Sequence, residues 1–203
     1  MKNIIKEMAY PTQFSMEELL SIPSYSKKVA YAENHLKRIS SGSSRTVFYI
    51  DDEKVLKVAK NKKGLAQNIA EADWGIQDMY PDLVAKVFET DDNGIFLEME
   101  LARKVTAKKF KDILGFTVED VHWFLYEAKT GQNHIEDKEL KERMWEDEWC
   151  NSLSDMCINY GYIMPGDFGK LSTYGLVTRD GEDHIVVIDF GLTKDVYDTH
   201  YKK

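Results

Sequence analysis

Ile185-Val186-Val187-Ile188-Asp189-Phe190-Gly191 decides how this sequence is read: four β-branched apolar residues end abruptly in a carboxylate, an aromatic ring and a glycine. An uninterrupted apolar run of this length, bounded by turn signals, predicts a buried strand. Asp and Gly also suit a plain turn. A carboxylate at the end of a buried strand, however, is equally a way to present a hard oxygen ligand to Mg²⁺. Asp189 is thus a turn residue or a metal ligand. The strand has a partner immediately upstream: Leu176–Thr178 and His184–Asp189 read as a hairpin turning at Arg179-Asp180-Gly181-Glu182.

Further upstream, Tyr162-Ile163-Met164-Pro165-Gly166-Asp167 runs into Phe168-Gly169-Lys170-Leu171-Ser172. This puts a second carboxylate, Asp167, on a loop behind a helix. An Asp in a Pro-Gly loop serves a turn unless its surroundings give it a task. Val55-Leu56-Lys57-Val58-Ala59 sets a lysine inside an apolar strand. Lys57 is either on the solvent side of a half-buried strand or a fixed ammonium for phosphate oxygens. Glu71 follows on the next helix, as a surface glutamate or as the ion-pair partner of Lys57.

Around these residues the pattern is strands, one helix, strands, helices and a late hairpin. Leu36–Ile39, Thr46–Ile50 and Val55–Ala59 predict short strands; Leu65, Ile69, Ala72 and Ile76 predict the apolar face of one helix ended by Pro81. Leu83–Glu89 and Ile95–Glu100 predict a hairpin across Asp91-Asp92-Asn93-Gly94. Val121, Phe124, Leu125 and Ala128 mark a helix behind a Thr117 cap, and Leu140, Met144, Leu153, Met156, Cys157 and Tyr160 a longer helical region. Ser15-Met16-Glu17-Glu18 predicts a capping box opening a short helix that Pro23 closes. The class expected is α+β in two lobes, with a hinge near residues 100–104.

Composition excludes several alternatives. In 203 residues, 43% are hydrophobic and 31% charged, with 12 Gly and 4 Pro, which is neither a disordered nor a collagen-like balance. No apolar run approaches the roughly 18 residues of a membrane span, and charges at Lys2, Lys6 and Glu7 argue against a signal peptide. A cytoplasmic protein is expected. Thirty-five acids against 27 bases disfavour nucleic acid as a partner. Cys150 and Cys157 sit two helical turns apart and are expected to stay reduced; the five His have no metal-ligand spacing.

Taken together, Lys57, Glu71, Asp167 and Asp189-Phe190-Gly191 resemble the protein-kinase-like superfamily in order and spacing, over roughly residues 36–192. The chain looks most like the small, compact kinase-like proteins of bacteriophages, which would work in the host cytoplasm. The resemblance implies a two-lobed fold: an N-terminal helical extension (1–35), an antiparallel-sheet N-lobe (36–101) and an abbreviated helical C-lobe (102–203). It implies ATP and Mg²⁺ as cofactors. Gly42, Ser43 and Ser44, with Arg45 beside them, would cover the phosphates; Val47, Val55, Met99, Glu100, Leu101 and Ala102 would enclose the adenine. Lys57 would bind the α- and β-phosphates and Glu71 would orient it. Asp189, with Ser172, would hold the metal, and Asp167 would orient or deprotonate the acceptor hydroxyl.

The sequence departs from the family pattern in four places. The phosphate loop has one glycine where protein kinases have three, Pro165-Gly166 replaces His-Arg, and Ser172 stands where the family has a metal-binding Asn. The sequence runs only twelve residues past Gly191, so no activation segment or peptide-docking helices are expected. Two functions fit: an ATP- and Mg²⁺-dependent phosphotransferase of unknown acceptor, or a kinase-like binding module that acts through a protein partner. The basic run Arg103, Lys104, Lys108, Lys109, Lys111 and the acidic stretch 136–148 beside Trp145 and Trp149 read as solvated faces or as a substrate and a partner surface.

Overall fold

The lysine-bearing strand lies at the centre of a sheet. In the computed structural model, which describes residues 13–159 and 165–202, five antiparallel strands are β1 (Lys37–Ser41), β2 (Arg45–Tyr49), β3 (Lys54–Ala59), β4 (Val87–Thr90) and β5 (Phe96–Glu100), in the order β1-β2-β3-β5-β4. Lys57 faces Val47 on one side and Leu97 on the other. Flanked on both edges, β3 can be apolar on both faces. Leu56 and Val58 point outward with Phe48 and Phe96, under Leu19 of α1 (Met16–Ser21) and Ala32 of α2 (Tyr25–His35). Val55, Leu97 and Met99 point inward to the larger core. Ser15 caps α1 by accepting the Glu18 N–H. The short helix expected to close by Pro23 is α1; α2, beyond that proline, was not expected from the sequence. Residues 1–12 of the expected extension lie outside the described residues.

Between β3 and β4 the structure corrects the reading. The single helix expected over Leu65–Met79 is two, α3 (Lys62–Glu71) and α4 (Trp74–Met79). Asp73 breaks it, because its side chain accepts the Gly75 N–H and starts a new helix. The buried face also differs from the apolar spacing. Ile69 is 52% exposed, and α3 turns inward Gly64, Gln67, Asn68 and Glu71, a polar stripe at helical period. The strand expected from Leu83 begins only at Val87, and Val84 makes a lone parallel bridge to Val187.

The second half is mostly helical: α5 (Ala107–Leu114), α6 (Val118–Thr130), α7 (Lys138–Glu146), α8 (Glu148–Asn159) and α9 (Pro165–Phe168). Thr117 and Asp120 form a complete capping box on α6. The long helical region expected from Leu140 is interrupted at Asp147, which accepts the Cys150 N–H and caps α8; Tyr160 and Tyr162–Met164 lie outside the described residues. A three-stranded sheet follows, from β6 (Arg103–Lys104), β7 (Tyr174–Arg179) and β8 (Glu182–Val187), and then α10 (Lys194–His200). The β7–β8 turn sets Asp180 and Gly181 at positive φ, 52° and 85°.

The two sheets are joined behind the core. Val187 donates to Leu83 O at 2.8 Å and accepts from Ala85 N at 3.0 Å. Arg179 reaches across with Nη1 on Pro81 O, Nη2 on Val84 O and a 2.6 Å ion pair to Glu100. The fold is α+β: an antiparallel five-stranded sheet with helices. Among the described residues no helix is long and apolar enough to cross a membrane.

Candidate active site

Glu71, fully buried, is the hub of a charged cluster between the sheet and the late hairpin. Its Oε2 receives Lys57 Nζ at 2.7 Å and Arg45 Nη1 at 2.7 Å. Its Oε1 receives Arg45 Nη2 at 2.9 Å and the backbone N–H groups of Phe190 and Gly191 at 3.1 and 3.0 Å. Lys57 also donates to Ile188 O at 2.7 Å, and Arg45 Nη2 to Asp189 Oδ1 at 2.6 Å. The central strand and the end of β8 are thus pinned to the last turn of α3 through one carboxylate.

The electrostatics follow from this packing. Burial alone would push the Glu71 carboxyl up; Arg45 and then Lys57 outweigh it and hold it at about 2. Burial pulls the Lys57 ammonium down, partly offset by Glu71. The Arg45 guanidinium is raised, the carboxylates of Glu71 and Asp189 overcoming its desolvation. Two cations and two carboxylates balance, as a buried charge cluster requires.

The β1–β2 loop borders the cavity, and its residues are held from within the fold. Arg45 opens β2, is buried, and lines the cavity wall with its guanidinium turned to Glu71 and Asp189. Ser44 is buried as well, its Oγ donating to Gln67 Oε1 at 2.6 Å. The Gly42 N–H is used within the turn on Arg45 O. Lys60 and Asn61 hold the loop from below through Gly42 O and Ser43 O. Ile39 to Ser43 are exposed at the rim. The chain's own hydrogen bonds fasten this loop to α3 and its N-cap while its residues line the cavity.

Asp167 stands across the cavity. It closes α9 beside Phe168, whose buried ring and carbonyl are held by the core and by Tyr174 Oη at 2.8 Å. Thr173 Oγ1 bonds Asp167 O at 2.6 Å, and the carboxylate pairs with Lys170 Nζ at 2.6 Å. At the hinge, Glu100 N–H donates to Lys86 O and Leu101 N–H to Glu53 O. Among the described residues the Ala102 N–H donates to no backbone carbonyl, so its edge is open to a ligand. Gly175 packs beneath it so closely that a Cβ there would lie 2.4 Å from Ala102 Cβ.

These parts surround one cavity of about 690 Å³, within the size range of small-molecule sites. Gly42, Ser43, Ser44, Val47, Val55, Lys57, Met99, Glu100, Leu101, Ala102, Asp167, Ser172 and Asp189 all line it, and Glu71 supports it from behind. Reasoning from sequence missed Gln67 and Tyr201. Tyr201 Oη accepts from Gln67 Nε2 at 3.1 Å, and the ring lies 4.0 Å under Lys63 Nζ, so the segment after α10 forms part of the wall. The i, i+3, i+4, i+7 spacing of Gly64, Gln67, Asn68 and Glu71 marks one face of α3 in the sequence but reads equally as a solvated one.

Other features resolve into local contacts. Arg103 and Lys109 both pair with Asp183, and Lys108 with Asp112. Trp149 donates Nε1 to Ile185 O inside the fold, while Trp145 stays partly exposed. Cys150 and Cys157 are free thiols, both pushed up by burial. Among the described residues no group of three or more His, Cys, Asp or Glu side chains converges on an ion position. A hard cation here would need ligand oxygens beyond the protein's own; Asp189, its side chain 61% exposed, and Ser172 both line the cavity, and a carboxylate and a hydroxyl are oxygen donors of the kind Mg²⁺ takes.

No family model matches the sequence, and no curated protein matches it. Solved structures resemble it in chain path. SAICAR-synthase from Saccharomyces cerevisiae complexed with SAICAR aligns with a TM-score of 0.41 at 11% identity, over 79% of this chain and 74% of that one. The streptomycin–ATP–APH(2″)-IIa ternary complex aligns at 0.34 and 13%, over 82% and 70%. The ADP-bound aminoglycoside phosphotransferase APH(2″)-Ib aligns at 0.34 and 14%, over 84% and 71%.

Proposed function

We propose that the protein is a kinase-like phosphotransferase that uses ATP with Mg²⁺. The observation that carries this reading is the Glu71 cluster: a buried carboxylate fixes Lys57 and the Phe190-Gly191 backbone at one end of a cavity that Asp189 and Asp167 also line. Held at both Glu71 and Ile188 O, Lys57 has its ammonium preset for phosphate oxygens, with little ordering left to do on binding. Val47, Val55 and Met99 give the base an apolar slot, and the Ala102 edge gives it a donor. Asp167, paired with Lys170 at 2.6 Å, orients the acceptor hydroxyl and takes its proton as the acceptor O–P bond forms and the bond from the γ-phosphorus to the departing ADP oxygen breaks. Mg²⁺ at Asp189 would supply charge neutralisation across the phosphates. In this reading residues 36–101 and 102–203 are the two lobes and 1–35 the extension.

The rival, a binding module without transfer, draws on one observation: Asp189 is already neutralised by Arg45 at 2.6 Å. A thermal-shift titration with ATP, with and without Mg²⁺, separates the readings. A ligand of the folded state stabilises it by about 2.7 kcal/mol at 100 times its Kd. A Mg²⁺-dependent rise in Tm is expected. No shift at millimolar ATP under either condition overturns nucleotide binding and leaves the binding module.

A further inference from the structure

Arg45 has no part in the phosphotransfer reading above, yet it touches both carboxylates of the cluster. Its two contacts differ in kind. The bidentate bond to Glu71 is buried on both sides, with 8% and 0% of the side chains exposed. The bond from Nη2 to Asp189 Oδ1 ends on a side chain 61% exposed at the cavity. The first contact is fixed, and the second is the one an ion from solution meets. We propose that Arg45 makes divalent-metal binding at Asp189 conditional on nucleotide; this rests on reading Asp189 as the metal ligand.

The physical reason is charge balance in a poorly solvated place. Arg45 and Lys57 against Glu71 and Asp189 sum to zero. A dication alone adds two positive charges beside a guanidinium that already occupies Oδ1, with only water to offset them. The same dication entering with a triphosphate brings its own negative charge. Asp189 can then turn its oxygens to the metal, while Arg45 stays anchored on Glu71 and offers its released Nη2 N–H to a phosphate oxygen. Nucleotide and metal are therefore coupled, each tightening the other by the same factor. Ser172, a neutral hydroxyl, adds no charge to alter that balance.

The test uses Mn²⁺ as the probe, its free concentration read by electron paramagnetic resonance. With Mn²⁺ alone, the parent is expected to lack a saturable site up to millimolar concentration. Arg45→Gln should gain one, tighter by roughly 10-fold or more, the scale on which a single charge at a few ångströms shifts a neighbouring ionic equilibrium. Arg45→Gln/Asp189→Asn should lose it again. A folded Arg45→Gln that binds Mn²⁺ no better than the parent overturns the proposal. Should that variant fail to fold, a parent that binds Mn²⁺ alone as tightly as with saturating ADP overturns it equally. A parent that binds no nucleotide by calorimetry defeats the phosphotransferase reading instead, and the comparison in Mn²⁺ alone still decides the role of Arg45.

Discussion

Glu71 Oε1 accepts the backbone N–H of Gly191 at 3.0 Å, across 120 positions of the chain. Gly191 packs so closely on α3 that a Cβ would lie 2.4 Å from Gln67 O. The end of α3 and the Asp-Phe-Gly turn therefore form one rigid joint, and displacing either loosens the Lys57–Glu71 pair.

Gly191→Ala should break that joint. A side chain wedged against backbone cannot be absorbed by a rotamer change, and overpacking of this kind costs about 1–3 kcal/mol. The midpoint of urea unfolding should fall, and ATP affinity with it. An unchanged midpoint and unchanged affinity would show that α3 yields freely at this contact.

Glu71→Gln should be the most damaging single change in the cluster. It leaves Arg45 and Lys57 buried with one carboxylate between them, a loss of about 3–5 kcal/mol by the usual cost of breaking a buried pair. Denaturant unfolding measures it. A loss below about 1 kcal/mol would mean that water already enters the cluster.

Two carboxyls give opposite pH dependences. Glu71 is held at about 2, below its ordinary 4.5, so its stabilisation is complete above about 4.5 and disappears as pH falls toward 2. Glu98 is buried on the outer face of β5 with neither oxygen hydrogen-bonded, and Lys54 Nζ stands 3.8 Å away. Burial pushes it up to about 7. The folded state then binds the extra proton, so stability falls as pH rises from about 4.5 to 7. Glu98→Met should remove that slope and raise stability at pH 8 by about 1–3 kcal/mol, the cost of an unsatisfied buried polar group. A variant less stable than the parent at pH 8 would indicate a partner for Glu98 that the buried position hides.

Asp189→Asn and Asp167→Asn should separate binding from transfer. The first removes the hard oxygen donor and should weaken Mg-ATP binding in calorimetry. The second should leave that binding nearly intact and slow any phosphate transfer by roughly 10²–10⁴-fold. Equal Mg-ATP affinity in both variants and the parent would refute the division of roles.

Local pattern made part of this legible before any coordinates. The run 185–188 is wholly apolar and Val55–Ala59 is apolar apart from Lys57, so two strands could be inferred with Asp189 just past the end of one, while the face that Lys57 takes could not. Arg45, Gln67 and Asn68 could not be placed either, because a polar residue at a strand's start or at helical spacing reads as a wet surface until the opposing charges are known. Their reason for burial lies on other elements: Glu71 and Asp189 for Arg45, and Lys57 O and Gly94 O for Asn68. Breaks at Asp73 and Asp147 were hidden for a related reason. An aspartate inside a helical pattern caps a new helix only where the chain must change direction, and the packing around it decides that.

Arg179 carries a kinetic consequence. Because it bolts Pro81, Val84 and Glu100 to the β7–β8 hairpin, the back of the cavity is closed by bonds that join both sheets. Wide swinging of one half against the other would have to break them together. A ligand is then admitted at the rim, where Ile39 to Ser43 are exposed, by side-chain and loop motions on the nanosecond-to-microsecond scale and not the slower scale of hinged domains. Association should accordingly show a single concentration-linear phase, and the scattering envelope of the protein should be the same with its cavity filled or empty.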